Sequence, residues 1–503
     1  MKPIQRWLLL LLLPLYTFQG CNKFLDVSSN DQVLQESIFK NGEGIRIAVN
    51  GVYRLLSGTD LYGKNLSWGV ISAMGNNYDY YYTPFDMRDA ASFNYESSST
   101  QSLMEQVWKR SYNVLANCNN IIQEVGKKDT GVFAQGSNEK NMILGEMYGI
   151  RAMVHFDLLR IFAPSPAAGA TGLTIPYVSS YPDYQPARLD MPTIFTRIIE
   201  DMTKAQSLLA SIDTVFLRST MRLPTGRIKT ANSPYNIPQG EFFCFRAQRM
   251  NYFAATALLA RIQLYKGDYV EAYKQAKIVY DAQRRNWFAW TSSIYQGQIT
   301  DVDFIYTKRP DELVLAFSNS FNYDNYDAII NSNQGQSQFF RMNSGYMSKL
   351  FEGDLDDFRL VGWYNRYNDQ RYLTWQRPRG NSYNAEQVLK SQGPLLPVIR
   401  FTEMYHILIE CLLRQQNTGD AIPIFNTLRI NRGAKTPINP AATPGQLMDM
   451  LVKDITRESL TEGQTFFLYK RLNRNIFNGA TDLVMAPQDW YAPFPLSETA
   501  YML

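Results

Sequence analysis

Histidine is nearly missing from this chain: His155 and His406 are the only two among 503 residues. A zinc site built from several imidazoles is excluded, and any Ser-His-Asp or Cys-His mechanism would have to use one of these two. His155 sits among Ala152, Met153, Phe156, Leu158 and Leu159, and His406 among Tyr405, Ile407 and Leu408, so packing is the expected role of each. Cysteine is also scarce. Of four cysteines, the three beyond Cys21, namely Cys118, Cys244 and Cys411, are odd in number and widely separated, which supports neither a disulfide framework nor a zinc site. Cys411, within the apolar set Ile407, Leu408, Ile409, Leu412 and Leu413, is expected to be a buried thiol.

Charge is short in both signs. Charged residues are 19% of the chain, and 50 Lys and Arg against 46 acids leave +4. Subtracting Lys2 and Arg6 with a cleaved leader gives +2, too little to drive nucleic-acid binding. No apolar run beyond the first twenty residues reaches the length of a membrane span. Gly58 to Asn65 nearly spells a phosphate-binding loop, but Asn65 lacks the hydroxyl that would hold magnesium and no buried strand precedes the run. Asp354, Asp356 and Asp357 lack the glycine and distal glutamate of a calcium loop, and a solvated or helix-capping group is expected there. Neither metal nor cofactor is expected.

Helical periodicity is abundant. Apolar residues recur at three and four over 31–57, 101–125, 139–162, 192–211, 247–265, 268–284, 399–415, 419–432 and 446–472, which predicts an all-α scaffold. Two pairs share a pattern. Ala254, Ala257, Leu258, Ala260 and Ile262 lead to Gly267-Asp268 and then Tyr269, Ala272 and Ala276; Tyr405, Ile409 and Leu413 lead to Gly419-Asp420 and then Ala421, Ile424 and Leu428. Small residues at a crossing and a glycine at the turn are the physical content of a tetratricopeptide unit. These units are interrupted by 58–100, 163–191, 212–246 and 285–398, rich in Gly, Pro, Asn, Ser, Tyr and Trp and expected to be loops with short strands. No linker separates independent domains, so 21–246 and 247–503 are expected to pack as two halves of one body.

Aromatic residues are plentiful, with 32 Tyr, 28 Phe and 8 Trp, and many stand in polar surroundings. The distinctive segments are Asn76 to Tyr82, Trp287 to Trp290, Asn322 to Asp327, and Trp363-Tyr364 with Tyr372 and Trp375. Flat rings stack on the C–H faces of sugars while Asn and Asp bond the hydroxyls. Asn77, Asp79, Tyr80, Tyr81, Trp290, Tyr323, Tyr326 and Trp363 are therefore the candidate ligand-binding residues. The competing role for any one ring is to plug a loop onto the helices. Glycoside hydrolysis needs only two carboxylates about 5–10 Å apart, but no motif marks such a pair, and no catalytic residue is assigned.

The N-terminus reads as an export signal over 1–20. Lys2 and Arg6 precede the apolar run Leu8 to Leu13, and Gly20 stands before Cys21. A small residue before cysteine at that point marks a lipoprotein, although Phe18 and Gln19 stand where leucine and a small residue are usual. Cys21 is the expected lipid anchor, and its acyl chains would hold the protein on a membrane without a transmembrane helix.

With these features together, the chain resembles the SusD/RagB family of bacterial outer-membrane glycan-binding lipoproteins. The residues that carry the resemblance are Cys21 to Asp26, Ser37-Ile38-Phe39, Asn50 to Arg54, and Gly145-Glu146 through Arg151-Ala152 to Arg160-Ile161-Phe162. Further on they are Ala257 to Asp268, Glu403 to Glu410, Asn426, Leu428 and Arg429, Arg457-Glu458, Glu462-Gly463-Gln464, Lys470-Arg471, and Pro493-Phe494-Pro495 with Glu498. Thr465 and Leu468 depart from the Arg and Asp usual in the family. The resemblance implies a lipid-anchored, surface-exposed outer-membrane protein that captures glycan and passes it to a partner SusC-like TonB-dependent transporter. Some members handle peptides instead. Glycan capture without catalysis is the leading expectation, oligopeptide capture with the same kind of transporter the alternative, and an unrecognised glycoside hydrolase the third.

Overall fold

The computed structural model describes residues 37–499, apart from 170, 230–234, 299–306, 332–338, 365–369 and 378–391. The leader and Cys21 lie outside the described residues. Helix dominates. The ten principal helices are α1 Gly42–Leu56, α2 Ser98–Lys127, α3 Gly136–Phe162, α4 Met191–Ser211, α5 Tyr252–Lys266, α6 Tyr269–Arg284, α7 Thr402–Arg414, α8 Thr418–Asn431, α9 Pro444–Glu458 and α10 Thr465–Leu472. Among the described residues the strands form three short antiparallel pairs: β1 Leu173–Pro176 with β2 Arg188–Asp190, β3 Leu313–Ser318 with β4 Leu395–Arg400, and β5 Ile476–Phe477 with β6 Asp482–Leu483.

Each helix from α1 to α8 packs on its sequence neighbour, and α9 packs on α7. Units separated in the sequence are thus consecutive in space, and the long insertions leave the stack and return to it. Side-chain size sets the closeness of the α5–α6 crossing: Ala254, Ala257, Ala260, Ala272 and Ala276 are all buried. Gly267 closes the turn between these helices in the left-handed region at φ 92°, its N–H bonding back to the end of α5, a conformation that strains other residues. The second hairpin differs from expectation. Its left-handed residue is Gln416 at φ 60°, the Asn417 side chain caps α8, and Gly419 lies inside the first turn of that helix.

The run 446–472 divides into α9 and α10. Between them Thr461 and Gly463 take positive φ of 61° and 74°. A Cβ at Gly463 would meet the Leu66 carbonyl oxygen at 2.1 Å, so the break is where the C-terminal half closes against the 58–75 turn. The intervening segments hold more helix than expected, including Val70–Met74, Phe85–Ala91, Asn322–Ile330 and Ser344–Leu350.

One apolar core runs through the stack, from Val49 and Leu115 through Ile150, Phe156 and Leu258 to Phe401, Leu408 and Phe466. The insertions are tied to it by charge. Glu458 receives Arg359 Nη1 at 2.9 Å, Arg432 Nη2 at 2.9 Å, Thr402 Oγ1 at 2.8 Å and also Arg309. Arg432 reaches Glu312 as well, and Arg359 reaches Asp357 and Asp454. All these groups are buried. The network joins 309–312 and 357–359 to α7 and α9, and its three guanidiniums hold Glu458 well below the usual carboxylate range against the opposing effect of burial. Lys470 plays a similar part, donating to the Arg160 and Ala163 carbonyls at the end of α3.

Candidate functional site

The segment after α1 ends in an aromatic loop whose shape follows from its own side chains. Asn76 turns the backbone at φ 51°, and its amide donates to the Ala91 carbonyl at 3.3 Å. Asn77 is fully buried, and its Oδ1 accepts from Thr461 N–H at 3.3 Å. Tyr78 is buried too, with its hydroxyl on the Trp68 carbonyl at 2.6 Å. Asp79 then caps the 3-10 turn Tyr80–Tyr82, one carboxylate oxygen accepting from Tyr81 N–H at 3.0 Å and the other from Asn343 Nδ2 at 3.0 Å. The Asp79 N–H donates to the Arg341 carbonyl at 2.9 Å, and Phe340 N–H donates to the Tyr82 carbonyl at 2.7 Å. From behind, Arg88 donates to the carbonyls of Tyr81 and Thr83.

These bonds fix the backbone and leave two rings outside it. Tyr80 is 50% and Tyr81 76% exposed, their centroids 5.7 Å apart and nearly perpendicular. They line one wall of a cleft of about 490 Å³, within the size range of small-molecule sites. Asp79, Asn343, the 91–93 turn, Asn478, Ala480 and Leu483 of the β5–β6 hairpin, and Val484 and Asp489 after it also line the cleft.

The candidate residues separate by burial. Asp79, Tyr80 and Tyr81 line this cleft; Asn77 anchors it from inside. Tyr326 is 2% exposed and stacks on Phe340 at 4.9 Å, which in turn meets Tyr78 and Trp68, so it is foundation for the loop and not a free platform. Tyr323 is buried with the Lys308 ammonium 4.6 Å from its ring. Trp363 is buried in a satellite core with Met342, Tyr346, Phe351 and Tyr372, and the Arg309 guanidinium lies 4.6 Å over it. Trp290 is half-buried against Phe401 and Tyr405. For these four rings the competing role holds in this structure: they join insertions to the stack. Sequence reasoning did not select Asn343, Asn478, Val484 or Asp489. The first is marked only as a helix cap, Asn478 lies in the β5–β6 turn, Val484 just after β6 and Asp489 in the 3-10 turn Pro487–Trp490, all outside the aromatic segments singled out in the sequence.

The remaining candidates for chemistry are occupied. His155 Nδ1 lies 2.8 Å from the Arg151 carbonyl and Nε2 accepts from Val178 N–H at 3.0 Å; burial lowers its pKa to about 3, so the ring is neutral. His406 Nε2 bonds Asp454 at 2.9 Å. Burial pushes the Cys118 and Cys411 thiols up to about 12, and Cys118, Cys244 and Cys411 are all free. Asp354 pairs with Arg429 and Arg457, Asp356 with Lys435, and Asp357 caps a short helix, as a capping group would. Gly58 to Asn65 is a series of turns with no strand before it.

A family model described as SusD-like, starch-binding and associating with the outer membrane matches residues 23–221, which contain α1 and the aromatic loop. Over those residues the chain is similar to the SusD-like family. Among its curated SusD-like relatives, the proteins P25 and P2 of Formosa agariphila are 23% and 22% identical over 209 and 268 residues. Those matches take in 38% and 53% of this chain, and 36% and 44% of the relatives' own length. Solved structures extend the likeness to nearly the whole fold. A SusD superfamily protein of Bacteroides vulgatus has a TM-score of 0.64 at 19% identity, covering 92% of this chain and 97% of that one. A SusD-like carbohydrate-binding protein from the same organism also has a TM-score of 0.64, at 14% identity, covering 92% and 96%. Among the described residues no helix is long and apolar enough to cross a membrane.

Proposed function

We propose that this SusD-like chain captures glycan at the Tyr80–Tyr81 cleft without cleaving it. Lipid on Cys21 would hold it at the outer-membrane surface, where it passes the ligand to a SusC-like TonB-dependent transporter. The observation that carries the reading is the pair of rings held out from a rigid backbone beside Asp79 and Asn343. A ring that is already ordered loses little freedom when a sugar stacks on it, and neighbouring oxygens accept from sugar hydroxyls. The starch-binding, outer-membrane description of the matching family model supports the same reading.

Binding without hydrolysis is the simpler chemistry for these groups. Asp79 and Asp489 both accept backbone N–H bonds that hold turns, Asp489 from Ala486 N–H at 2.7 Å. Such bonds suit an acceptor and not a proton donor to a leaving oxygen. The test is a retention-gel and calorimetry screen of the mature protein against polysaccharides, oligosaccharides and peptide mixtures, with chromatography of each bound oligosaccharide after long incubation. Glycan binding with unchanged chain length is expected. Peptide uptake without glycan binding, or enzyme-dependent shortening, would overturn the reading.

A further inference from the structure

Resting on the reading of the cleft as a glycan site, we infer that its ligand is an electrically neutral saccharide, and that uronate-bearing and sulfated chains are turned away. Among the described residues the lining holds two carboxylates, Asp79 and Asp489, and the amides of Asn76, Asn343 and Asn478, but no lysine, arginine or histidine. The absence is local, since the whole chain has more cations than anions. The bonds recorded for the two carboxylates come from neutral donors: Asp79 from Tyr81 N–H and the Asn343 amide, Asp489 from Ala486 N–H. Among the described residues no ion pair involves either carboxylate. Arg88 of the following Phe85–Ala91 helix, 5.9 Å from the Tyr80 ring centroid, is outside the lining and donates to the carbonyls of Tyr81 and Thr83, and Lys349 near the hairpin lies 3.9 Å from Asp482.

The hydrogen-bonding capacity is biased the same way. Asn343 Nδ2 is engaged by Asp79 and Asn76 Nδ2 by the Ala91 carbonyl, while an ionised carboxylate offers about four acceptor positions, more than these turns use. The donors that remain in the lining, the hydroxyls of Tyr80, Tyr81 and Ser92 and the amide of Asn478, whose oxygen is held by Ala480 and Thr481 N–H, are all neutral. Sugar hydroxyls can donate to the carboxylates. A sugar carboxylate or sulfate would meet like charge with no cation in the lining to replace its water, the repulsive element that separates one ligand class from another.

The test is calorimetric titration of the mature protein with short gluco-, manno-, galacto- and xylo-oligosaccharides, each beside a counterpart carrying uronate or sulfate groups. Wild type and the Asp79→Asn, Asp489→Asn double variant are titrated at low and high salt, and thermal unfolding confirms that the variant is folded. A neutral member should bind and its anionic counterpart should bind at least about tenfold more weakly. That gap should narrow in the double variant and at high salt, because exposed charges are screened. An anionic oligosaccharide that binds wild type as well as or better than its neutral counterpart overturns the inference and leaves the glycan reading standing. If no saccharide of either kind binds while peptides do, the glycan reading fails and this inference with it.

Discussion

Truncating Tyr81 to alanine separates a binding ring from a packing ring more cleanly than any other change in the chain. The ring is 76% exposed, so its loss removes little from the folded state, and stability should stay within about 0.5 kcal/mol. If a sugar covers about 100 Å² of it, the area term is about 2.5 kcal/mol at about 25 cal/mol per Å². Ordering and desolvation offset part of that, and a loss of tenfold or more in affinity remains the expected result. Tyr80, half exposed and braced by Arg88 5.9 Å from its ring centroid, should show a smaller loss. Tyr326→Ala is the contrasting control. It removes a ring stacked on Phe340 in the core and should lower stability by about 3–5 kcal/mol. Calorimetric titration with a confirmed oligosaccharide, beside urea unfolding, reads both quantities. A Tyr80→Ala, Tyr81→Ala double variant that binds that ligand with unchanged Kd would refute the reasoning.

Three further outcomes are expected. Cys21→Ala should move the protein from the outer-membrane fraction to the soluble fraction on cell fractionation; persistent tight membrane association would rule out Cys21 as the anchor. Between the unfolded imidazole pKa of about 6.5 and its folded value of about 3, only the unfolded chain gains a proton on His155. That contribution is therefore complete above about pH 6.5 and falls with acidification by up to about 1.4 kcal/mol per pH unit. Urea unfolding from pH 7.5 to 5 should show a shallower decline for His155→Gln, and parallel slopes for variant and wild type would contradict the assignment. Glu458→Gln leaves Arg309, Arg359 and Arg432 crowded without their shared anion, and should lower stability by about 3–5 kcal/mol; a loss below about 1 kcal/mol would show that the network is not structural.

The helices were readable because their apolar faces repeat at helical spacing over long stretches, as in Gly42–Leu56 and Pro444–Glu458. The alanines of the α5–α6 crossing also carried their meaning locally. The break at Thr461 and Gly463 was not legible, because its cause is the approach of Leu66 from almost four hundred residues away. For the site, Asp79-Tyr80-Tyr81 was visible because the capping carboxylate and the rings it exposes are adjacent in sequence. The rest of the lining was not, since Asn478 in the β5–β6 turn and Asp489 in the 3-10 turn Pro487–Trp490 come to the cleft from the other end of the sequence. Composition misdirects at Trp363 and Tyr323 for one physical reason. Both rings are buried under cations that come from elsewhere in the sequence, Arg309 and Lys308, so polar residues beside them in the chain do not mean that they face solvent.

The most direct measurement is a crystal structure of the mature protein with a bound oligosaccharide selected by the retention screen. The account predicts a sugar ring in contact, at about 4 Å, with the face of Tyr80 or Tyr81, and a hydroxyl donating to Asp79 or an amide oxygen of the same cleft. An oligosaccharide ordered elsewhere on the surface, with the Tyr80–Tyr81 cleft holding only water, would contradict it.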